Sequence, residues 1–184
     1  MVKETDIFII GGGPSGLATA IAARQRGFDV VVADGARPPI DKACGEGLMP
    51  DAREALEKLG IVVPPEDSHP FRGIRFVSGN LSVDASFPTG AGIGVRRTAL
   101  HRTMIARAEA AGIRLLWQTP VVGLHPEGVL LGRNIVRSGW VVGADGGHSL
   151  VRQWAGLDRY TRDRSRFAFR RHYRISPWDD CMEL

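Results

Sequence analysis

Three glycines near the N-terminus, at positions 11, 13 and 16, constrain the fold more than any other feature of the chain. They fit the pattern G-x-G-x-x-G and stand between an apolar run that ends at Ile10 and an alanine-rich run that begins at Leu17. A strand, a tight turn and a helix in this order predict a dinucleotide-binding βαβ unit, in which the helix N-terminus faces a pyrophosphate. We expect Gly11 to allow the turn, Gly13 to let the pyrophosphate approach the backbone, and Gly16 to let the helix pack closely.

A second apolar run, residues 28–33, ends at Asp34. In dinucleotide-binding folds an acidic residue about 20 residues after the glycines accepts a hydrogen bond from a ribose hydroxyl. We therefore expect Asp34 to bind ribose. A glycine-rich turn in an ordinary βαβ unit is the alternative, and the glycine pattern by itself does not distinguish NAD from FAD.

The composition is that of an ordinary globular protein, with 184 residues of which 43% are hydrophobic. No apolar run approaches the roughly 18 residues that a membrane span needs. The polar residues 1–6 lead straight into the first strand, so we expect no cleaved signal peptide and a cytoplasmic location. Two cysteines and five scattered histidines predict neither a disulfide framework nor a metal site.

The net charge is +4, and most of the excess lies near the C-terminal end. Such a cluster could bind nucleic acid, but interleaved lysines and recognised nucleic-acid modules are missing, so we predict no nucleic-acid partner. A solvated surface, or one that faces an anionic cofactor or substrate, is the favoured interpretation. The arginines concerned are Arg152, Arg159, Arg162, Arg164, Arg166, Arg170, Arg171 and Arg174.

The middle of the chain departs from the parallel α/β pattern. Two alternating segments, 73–77 and 81–87, flank Ser78-Gly-Asn80 and predict an antiparallel hairpin. Such a sheet, inserted into an α/β start, predicts a second domain that begins within the first. Three prolines in residues 61–70 predict a linker. Elsewhere we predict helices at 52–59, 96–111 and 150–155, strands at 90–94 and 113–117, a meander of short strands at 121–124, 128–131 and 134–136, and a buried strand at 139–143.

The loop Cys44-Gly-Glu-Gly47 is a candidate site, because a glutamate and a cysteine among glycines are unusual in a mere connector. A tight turn with a surface acid at Glu46 is the alternative. In the preceding loop, Arg37 and Lys42 could contact the adenine side or a phosphate of a dinucleotide, or could be surface charges.

A second glycine-rich loop, Gly143-Ala-Asp-Gly-Gly-His-Ser149, joins the last predicted strand to the last predicted helix. A strand that ends in such a loop before a helix N-terminus can form an anion site. Asp145 could accept a hydrogen bond from a ribityl or ribose hydroxyl, order the loop, or serve only as a turn residue.

Together these features resemble the p-hydroxybenzoate hydroxylase-like superfamily of FAD enzymes. The glycines and Asp34 are similar to its ADP-binding fingerprint, although this family usually has Glu where Asp34 stands. Arg97 resembles the arginine that lies along the FAD. Residues 143–152, with Asp145 and Gly146 at the centre, resemble a second motif implicated in FAD and NADPH pyrophosphate contacts. The resemblance implies FAD as the cofactor and NADPH or NADH as the reductant.

Within this superfamily, Cys44-Gly-Glu-Gly-Leu48 resembles the geranylgeranyl reductase-like branch, which saturates isoprenoid double bonds with reduced FAD. Residues 169–174 look like the strand that leads into the catalytic domain of that branch. The resemblance implies hydride transfer from NAD(P)H to FAD and reduction of an alkene in a small apolar molecule, with Glu46 or Cys44 as a proton donor or flavin contact. A flavin-dependent aromatic hydroxylase and a non-catalytic dinucleotide-binding fragment are the alternatives.

The resemblance also implies the fold, an α/β, Rossmann-like FAD/NAD(P)-binding domain with the start of an inserted antiparallel β-sheet substrate domain. We predict the FAD-binding domain at 1–70 and 95–160, and the substrate domain at 71–94 and 165–184. Family members are considerably longer and carry a third motif, Gly-Asp before a helix, which does not follow Asp145 here. We therefore expect a fragment that alone binds FAD weakly and turns over nothing. A lipid substrate would add peripheral membrane contact, and the oligomeric state is not predicted.

The predicted cofactor site thus draws on several separate parts of the chain. Its candidate catalytic residues are Glu46 and Cys44, and no metal ligand is predicted. The residues predicted to bind the cofactor are Gly11, Gly13, Pro14, Ser15, Gly16, Asp34, Gly35, Arg37, Cys44, Gly45, Arg97, Val121, Val122, Ala144, Asp145 and Gly146.

Overall fold

The computed structural model of the chain describes residues 2–158 and 167–184. Four of the clustered arginines, at positions 159, 162, 164 and 166, lie outside the described residues. The strands are β1 (Glu4–Ile10), β2 (Val30–Ala33), β3 (Gly47–Leu48), β4 (Ser68–Phe71), β5 (Gly73–Ser78), β6 (Leu81–Ser86), β7 (Gly92–Val95), β8 (Arg114–Leu116), β9 (Gly123–His125), β10 (Gly128–Leu131), β11 (Asn134–Gly143) and β12 (Cys181–Glu183). The helices are α1 (Pro14–Gln25), α2 (Pro50–Lys58), α3 (Arg97–Ala110) and α4 (Leu150–Trp154), with a 3-10 turn at Pro65–Asp67.

The described residues form two compact units. The first combines Met1–Ile40 with His101–Ser165, and the second combines Asp41–Leu100 with Arg166–Leu184, each as far as its residues are described. The domain boundaries expected from the sequence remain predictions about the protein. None of the helices in the described residues has the length and the apolar sequence to cross a membrane.

The first unit is built on a six-stranded sheet in the order β8-β2-β1-β11-β10-β9. The first four strands in this order run parallel, and β10 and β9 continue the sheet in antiparallel pairing. The predicted parallel α/β start is therefore confirmed. The carboxyl ends of β1, β2 and β11 lie side by side, which is the edge where open α/β sheets bind their ligands.

Both faces of the central strands are covered by apolar side chains. Side chains alternate along a strand, so Phe8 and Ile10 of β1 join one buried cluster while Ile9 faces the other side of the sheet. Helix α1 packs against β1 and β2, and its Leu17 and Ile21 are fully buried. Burying each such side chain stabilises the fold by roughly 1.5–3 kcal/mol. Strand β1 is the centre of the core because it has buried side chains on both faces of the sheet.

Strand β11 differs from the prediction. The short strands predicted at 134–136 and 139–143 form one strand, because residues 134–137 pair with β10 and residues 137–143 pair with β1. The predicted burial of residues 139–143 is wrong, because Val141 and Val142 are only partly buried and the two glycines are exposed. The Trp140 side chain is 71% exposed. The reason is alternation: Val141 packs against the buried cluster, and Trp140 points to the opposite side.

The second unit contains two small sheets, with the orders β3-β7-β4 and β12-β5-β6. The predicted antiparallel hairpin is confirmed, with Gly73 opposite Ser86 at one end and Ser78 opposite Leu81 at the other. Residues 68–70, expected in a linker, belong to β4, and Pro70 is tolerated there because β4 is an edge strand.

The described part of the C-terminal segment also differs from the prediction. The strand expected at 169–174 does not form, and these residues pair with no strand among the described residues. Seven residues further on, the structure instead has β12 from Cys181, and this strand pairs in parallel with β5.

Candidate functional site

The glycine loop follows β1 with a turn that requires glycine. Gly11 has a φ of 112°, and its N–H donates to the Ala33 carbonyl at 2.8 Å. A Cβ added to Gly11 would overlap the Ala144 carbonyl oxygen in the loop after β11. The two predicted cofactor residues Gly11 and Ala144 are therefore brought together as backbone against backbone.

Helix α1 begins directly on this loop. A Cβ at Gly16 would overlap the carbonyl oxygen of Gly11, so the predicted close packing is confirmed. Gly13 is the N-cap residue and Pro14 the first helical residue, and no side chain in the described part of the chain caps the helix N-terminus. The N–H groups of this first turn, including that of the exposed Ser15, are accordingly left for an anion.

Asp34 holds the glycine loop with its carboxylate. Its Oδ2 accepts from the Gly12 N–H at 2.7 Å, and its Oδ1 accepts from the Ala36 N–H at 2.8 Å. An ionised carboxylate offers about four acceptor positions, so two remain for ribose hydroxyls. Gly35 and Arg37 follow in an exposed turn, where the sequence expectation that they contact the cofactor stays a prediction.

Asp145 orders the loop after β11. Its Oδ2 accepts from the N–H groups of Leu150 and Val151 at 2.7 and 3.1 Å, and its Oδ1 accepts from the Ser149 hydroxyl. The Ser149 hydroxyl oxygen in turn accepts from the Arg152 N–H at 3.0 Å. Asp145 and Ser149 together cap α4, which supports the loop-ordering alternative among those open in the sequence.

The next residue, Gly146, has a φ of 87°. Only glycine adopts this conformation without strain. The loop after β11 is thus shaped by a cap at one residue and a left-handed glycine at the next.

The two valines predicted to bind the cofactor lie before β9. Val121 packs against the buried apolar cluster, whereas Val122 is half exposed and donates its N–H to the Leu130 carbonyl at 2.9 Å. Their contact with a cofactor stays a prediction.

In the second unit, Glu46 is surrounded by hydrogen-bond donors. Its Oε1 accepts from the Arg97 N–H at 2.6 Å and from Arg170 Nη1 at 2.8 Å, and its Oε2 lies 2.6 Å from His172 Nε2. Arg170 also pairs with Asp41. Glu46 has a φ of 55°, a strained conformation for a residue with a side chain, and such strain is concentrated at functional sites.

Arg97 opens α3 and carries an unsatisfied group. Its Nε is buried and has no hydrogen-bond partner among the described residues. Buried polar groups are almost always paired in proteins, so this N–H calls for an acceptor. Cys44 and Gly45 are exposed in the loop before Glu46, and their predicted roles are not tested by these contacts.

Three residues of the first unit were missed by sequence reasoning. Gly12 occupies an x position of the glycine pattern, yet a Cβ there would overlap the ring of Trp117. His101, fully buried, lies with its Nε2 2.7 Å from the Gly12 carbonyl oxygen. Of the three, only Gly12 could have been found from the sequence, because it is the middle of three consecutive glycines. His101 and Trp117 contact residues far away along the chain, and no sequence pattern reveals such contacts.

A group of possible metal ligands, Asp179, Asp180 and Cys181, was not expected from the sequence. Both carboxylates are engaged by arginines, since Asp179 pairs with Arg75 and Asp180 with Arg72.

The residues of the first unit fit the dinucleotide part of FAD. In the first unit, the N-terminus of α1 has no side-chain cap among the described residues, and Asp34 is held on the preceding loop by the Gly12 N–H.

The cap at Asp145 predicts a pH-dependent stability. Partial burial alone would raise the pKa of the Asp145 carboxyl, but hydrogen bonds from the Ser149 hydroxyl and from the N–H groups of Val151 and Leu150 hold the pKa below its ordinary value. A lowered folded-state pKa stabilises the protein above about pH 4, and this stability is lost as the pH falls through the folded-state value.

We therefore expect Asp145→Asn to lower the melting temperature at neutral pH, and the difference from the unchanged protein to shrink as the pH falls below about 4. Thermal unfolding followed by circular dichroism at a series of pH values measures both quantities. A difference that stays constant over the whole series would contradict a capping role for the ionised carboxylate.

Comparison with known proteins identifies the family. A family model described as "FAD binding domain" matches residues 4–170. The menaquinone reductase of Mycobacterium tuberculosis is 37% identical over 127 residues, which are 66% of this chain and 31% of that protein. Digeranylgeranylglycerophospholipid reductase 1 of Methanothermobacter thermautotrophicus is 32% identical over 177 residues, 88% of this chain and 44% of that protein.

Among solved structures, the tetrameric form of 2-methyl-3-hydroxypyridine-5-carboxylic acid oxygenase superposes with a TM-score of 0.74 at 27% identity, over 84% of this chain and 42% of that one. The chain thus spans less than half the length of these relatives. The comparisons confirm the resemblance to the FAD-dependent hydroxylase superfamily and its geranylgeranyl reductase-like branch, and they support FAD as the cofactor. The glycine loop, Asp34 and the matched residues together lead to one conclusion: the chain belongs to the FAD binding domain family of flavoprotein oxidoreductases and monooxygenases.

Proposed function

We propose that this chain is the FAD-binding part of an oxidoreductase that takes hydride from NADPH or NADH and reduces an alkene of an isoprenoid or another apolar substrate. The observation that carries the proposal is the glycine loop: bare N–H groups at the start of α1 stand beside a carboxylate, Asp34, that is already fixed by the loop itself. This is the arrangement that a pyrophosphate and a ribose require.

Each part of the proposed site has a distinct task. The N–H groups of the first turn of α1 bind the pyrophosphate, and Asp34 accepts from the ribose hydroxyls. The family resemblance assigns Arg97 a further contact with FAD, and we keep that contact as part of the proposal. Bound FAD supplies the hydride chemistry, while the protein supplies binding, orientation and electrostatics.

The choice of substrate rests on the relatives. Two of them are named for reactions on menaquinone and on a digeranylgeranyl lipid, and both of these molecules carry isoprenoid chains. An apolar substrate of this kind would bring a cytoplasmic protein into peripheral contact with a membrane, and we include both features in the proposal.

A flavin-dependent aromatic hydroxylase is the second candidate. It is favoured by the superposition on an oxygenase that acts on a hydroxypyridine carboxylic acid, with a TM-score of 0.74. In that case the same residues would hold the cofactor, and the difference would lie in the substrate and in the use of O₂. A dinucleotide-binding chain without chemistry of its own is the remaining alternative.

The two enzymatic functions are separated by their products. We expect the complete protein, supplied with FAD and NADPH or NADH under anaerobic conditions, to add two hydrogens to a geranylgeranyl lipid, as measured by mass spectrometry. A hydroxylase would instead require O₂ and add one oxygen to an aromatic acid. Consumption of NADPH or NADH with neither product would contradict both.

The roles proposed for Glu46 and Cys44 can be tested in the same assay. Glutamine cannot deliver a proton, so we expect Glu46→Gln to slow substrate reduction by roughly a hundredfold if Glu46 is the donor. Flavin reduction by NADPH or NADH, followed separately by absorbance, should stay within a factor of two or so of the unchanged protein.

Cys44→Ser tests the alternative donor, and Glu54→Gln on α2 is the matched control, because Glu54 forms an exposed ion pair with Lys58. Substrate reduction that is unchanged in both the Glu46 and the Cys44 variants would remove both residues from the mechanism.

A further inference from the structure

His101 is a fully buried histidine whose protonation state is defined by its neighbours. The backbone N–H of Ile40 lies 3.0 Å from Nδ1, and the carbonyl oxygen of Gly12 lies 2.7 Å from Nε2. A backbone N–H can only donate and a carbonyl oxygen can only accept. Nδ1 is therefore the acceptor, and Nε2 carries the proton that is donated to Gly12.

The hydrogen bond from His101 satisfies the second backbone polar group of Gly12. The N–H of Gly12 already donates to Asp34 at 2.7 Å, so both backbone polar groups of this residue have partners. The ring of Trp117 occupies the space that a Cβ at position 12 would need, and it meets the His101 ring nearly edge-on at 5.8 Å between centroids. Gly12 is thus fixed in position as well as in orientation.

The direction of the next N–H group follows from peptide geometry. In a planar trans peptide the C=O and the N–H point to opposite sides. Because the Gly12 carbonyl is directed at His101, the N–H of Gly13 in the same peptide points away from it. Gly13 is the N-cap of α1, and its N–H is not needed by any hydrogen bond within the helix.

We propose that His101 is a positioning residue that aims the Gly13 N–H at the pyrophosphate of the dinucleotide. It acts through the Gly12 carbonyl and does not touch the ligand. The inference rests on the proposed function, since it assigns a residue on α3 to the anion site at the start of α1. A histidine that merely fills the core would stabilise the fold equally through either ring nitrogen.

Two substitutions separate the two ring nitrogens. The Nε2 of glutamine reaches about as far from the backbone as the Nε2 of histidine, so His101→Gln keeps a donor for Gly12 and loses the acceptor for Ile40. The Oδ1 of asparagine stands near the position of Nδ1, so His101→Asn keeps the acceptor for Ile40 and loses the donor for Gly12. Each variant leaves one buried group unpaired.

Isothermal titration calorimetry of the chain with ADP, with thermal unfolding of the ligand-free protein beside it, tests the proposal. We expect both variants to lower the melting temperature, but only His101→Asn to weaken ADP binding, by about tenfold, with His101→Gln within about twofold of the unchanged protein. Equal ADP affinities for the two variants would overturn the positioning role. Absence of ADP binding in the unchanged protein would overturn the proposed function and this inference with it.

Discussion

The structure of the candidate site depends on backbone packing directly against backbone at the carboxyl edge of the sheet. Gly11 lies against the carbonyl of Ala144, and α1 lies against the carbonyl of Gly11 because Gly16 has no side chain. These approaches bring the ends of β1 and β11 and the start of α1 to one place. Side chains are excluded from that place, so its chemistry is that of peptide N–H groups and a helix dipole, which favours an anion.

Three polar side chains of the first unit form hydrogen bonds with the backbone of these loops. Asp34 accepts from Gly12, His101 is bonded to the Gly12 carbonyl, and Asp145 caps α4. A loop that is held by its own partners loses less conformational freedom when it binds a ligand. The glycine loop is therefore preorganised, and the proposed ribose contact of Asp34 would be an addition to its structural role.

The second unit shows the same principle at Glu46. Its carboxylate meets the N–H of Arg97 and the side chains of Arg170 and His172, in a backbone conformation that few residues with side chains adopt. Through the Arg97 N–H, the Glu46 side chain anchors the start of α3. If Glu46 donates a proton as proposed, the proton comes from a carboxyl group that also makes these three contacts.

Much of the fold was predictable because it follows from local patterns. Glycine spacing, strand alternation and helix periodicity predicted the first βαβ unit, the hairpin and α3, and the strict steric need at Gly11 and Gly16 is what makes the glycine pattern informative. The parts that could not be predicted depend on partners far along the chain. His101 meets Gly12 across 89 residues, and β11 is continuous because β1 and β10 pair with its two halves.

The most direct test of the account is to observe the glycine loop while it binds. In ¹H–¹⁵N correlation spectra of the chain titrated with ADP, the amide signals of Gly13, Ser15 and Gly16 should shift and saturate together, with that of Asp34. The signals of Gly79 and Gly112, where no described residue lies within 4 Å of an added Cβ, should not shift. Saturable shifts confined to residues outside the glycine loop, or no saturable shift at all, would contradict a dinucleotide site at the start of α1.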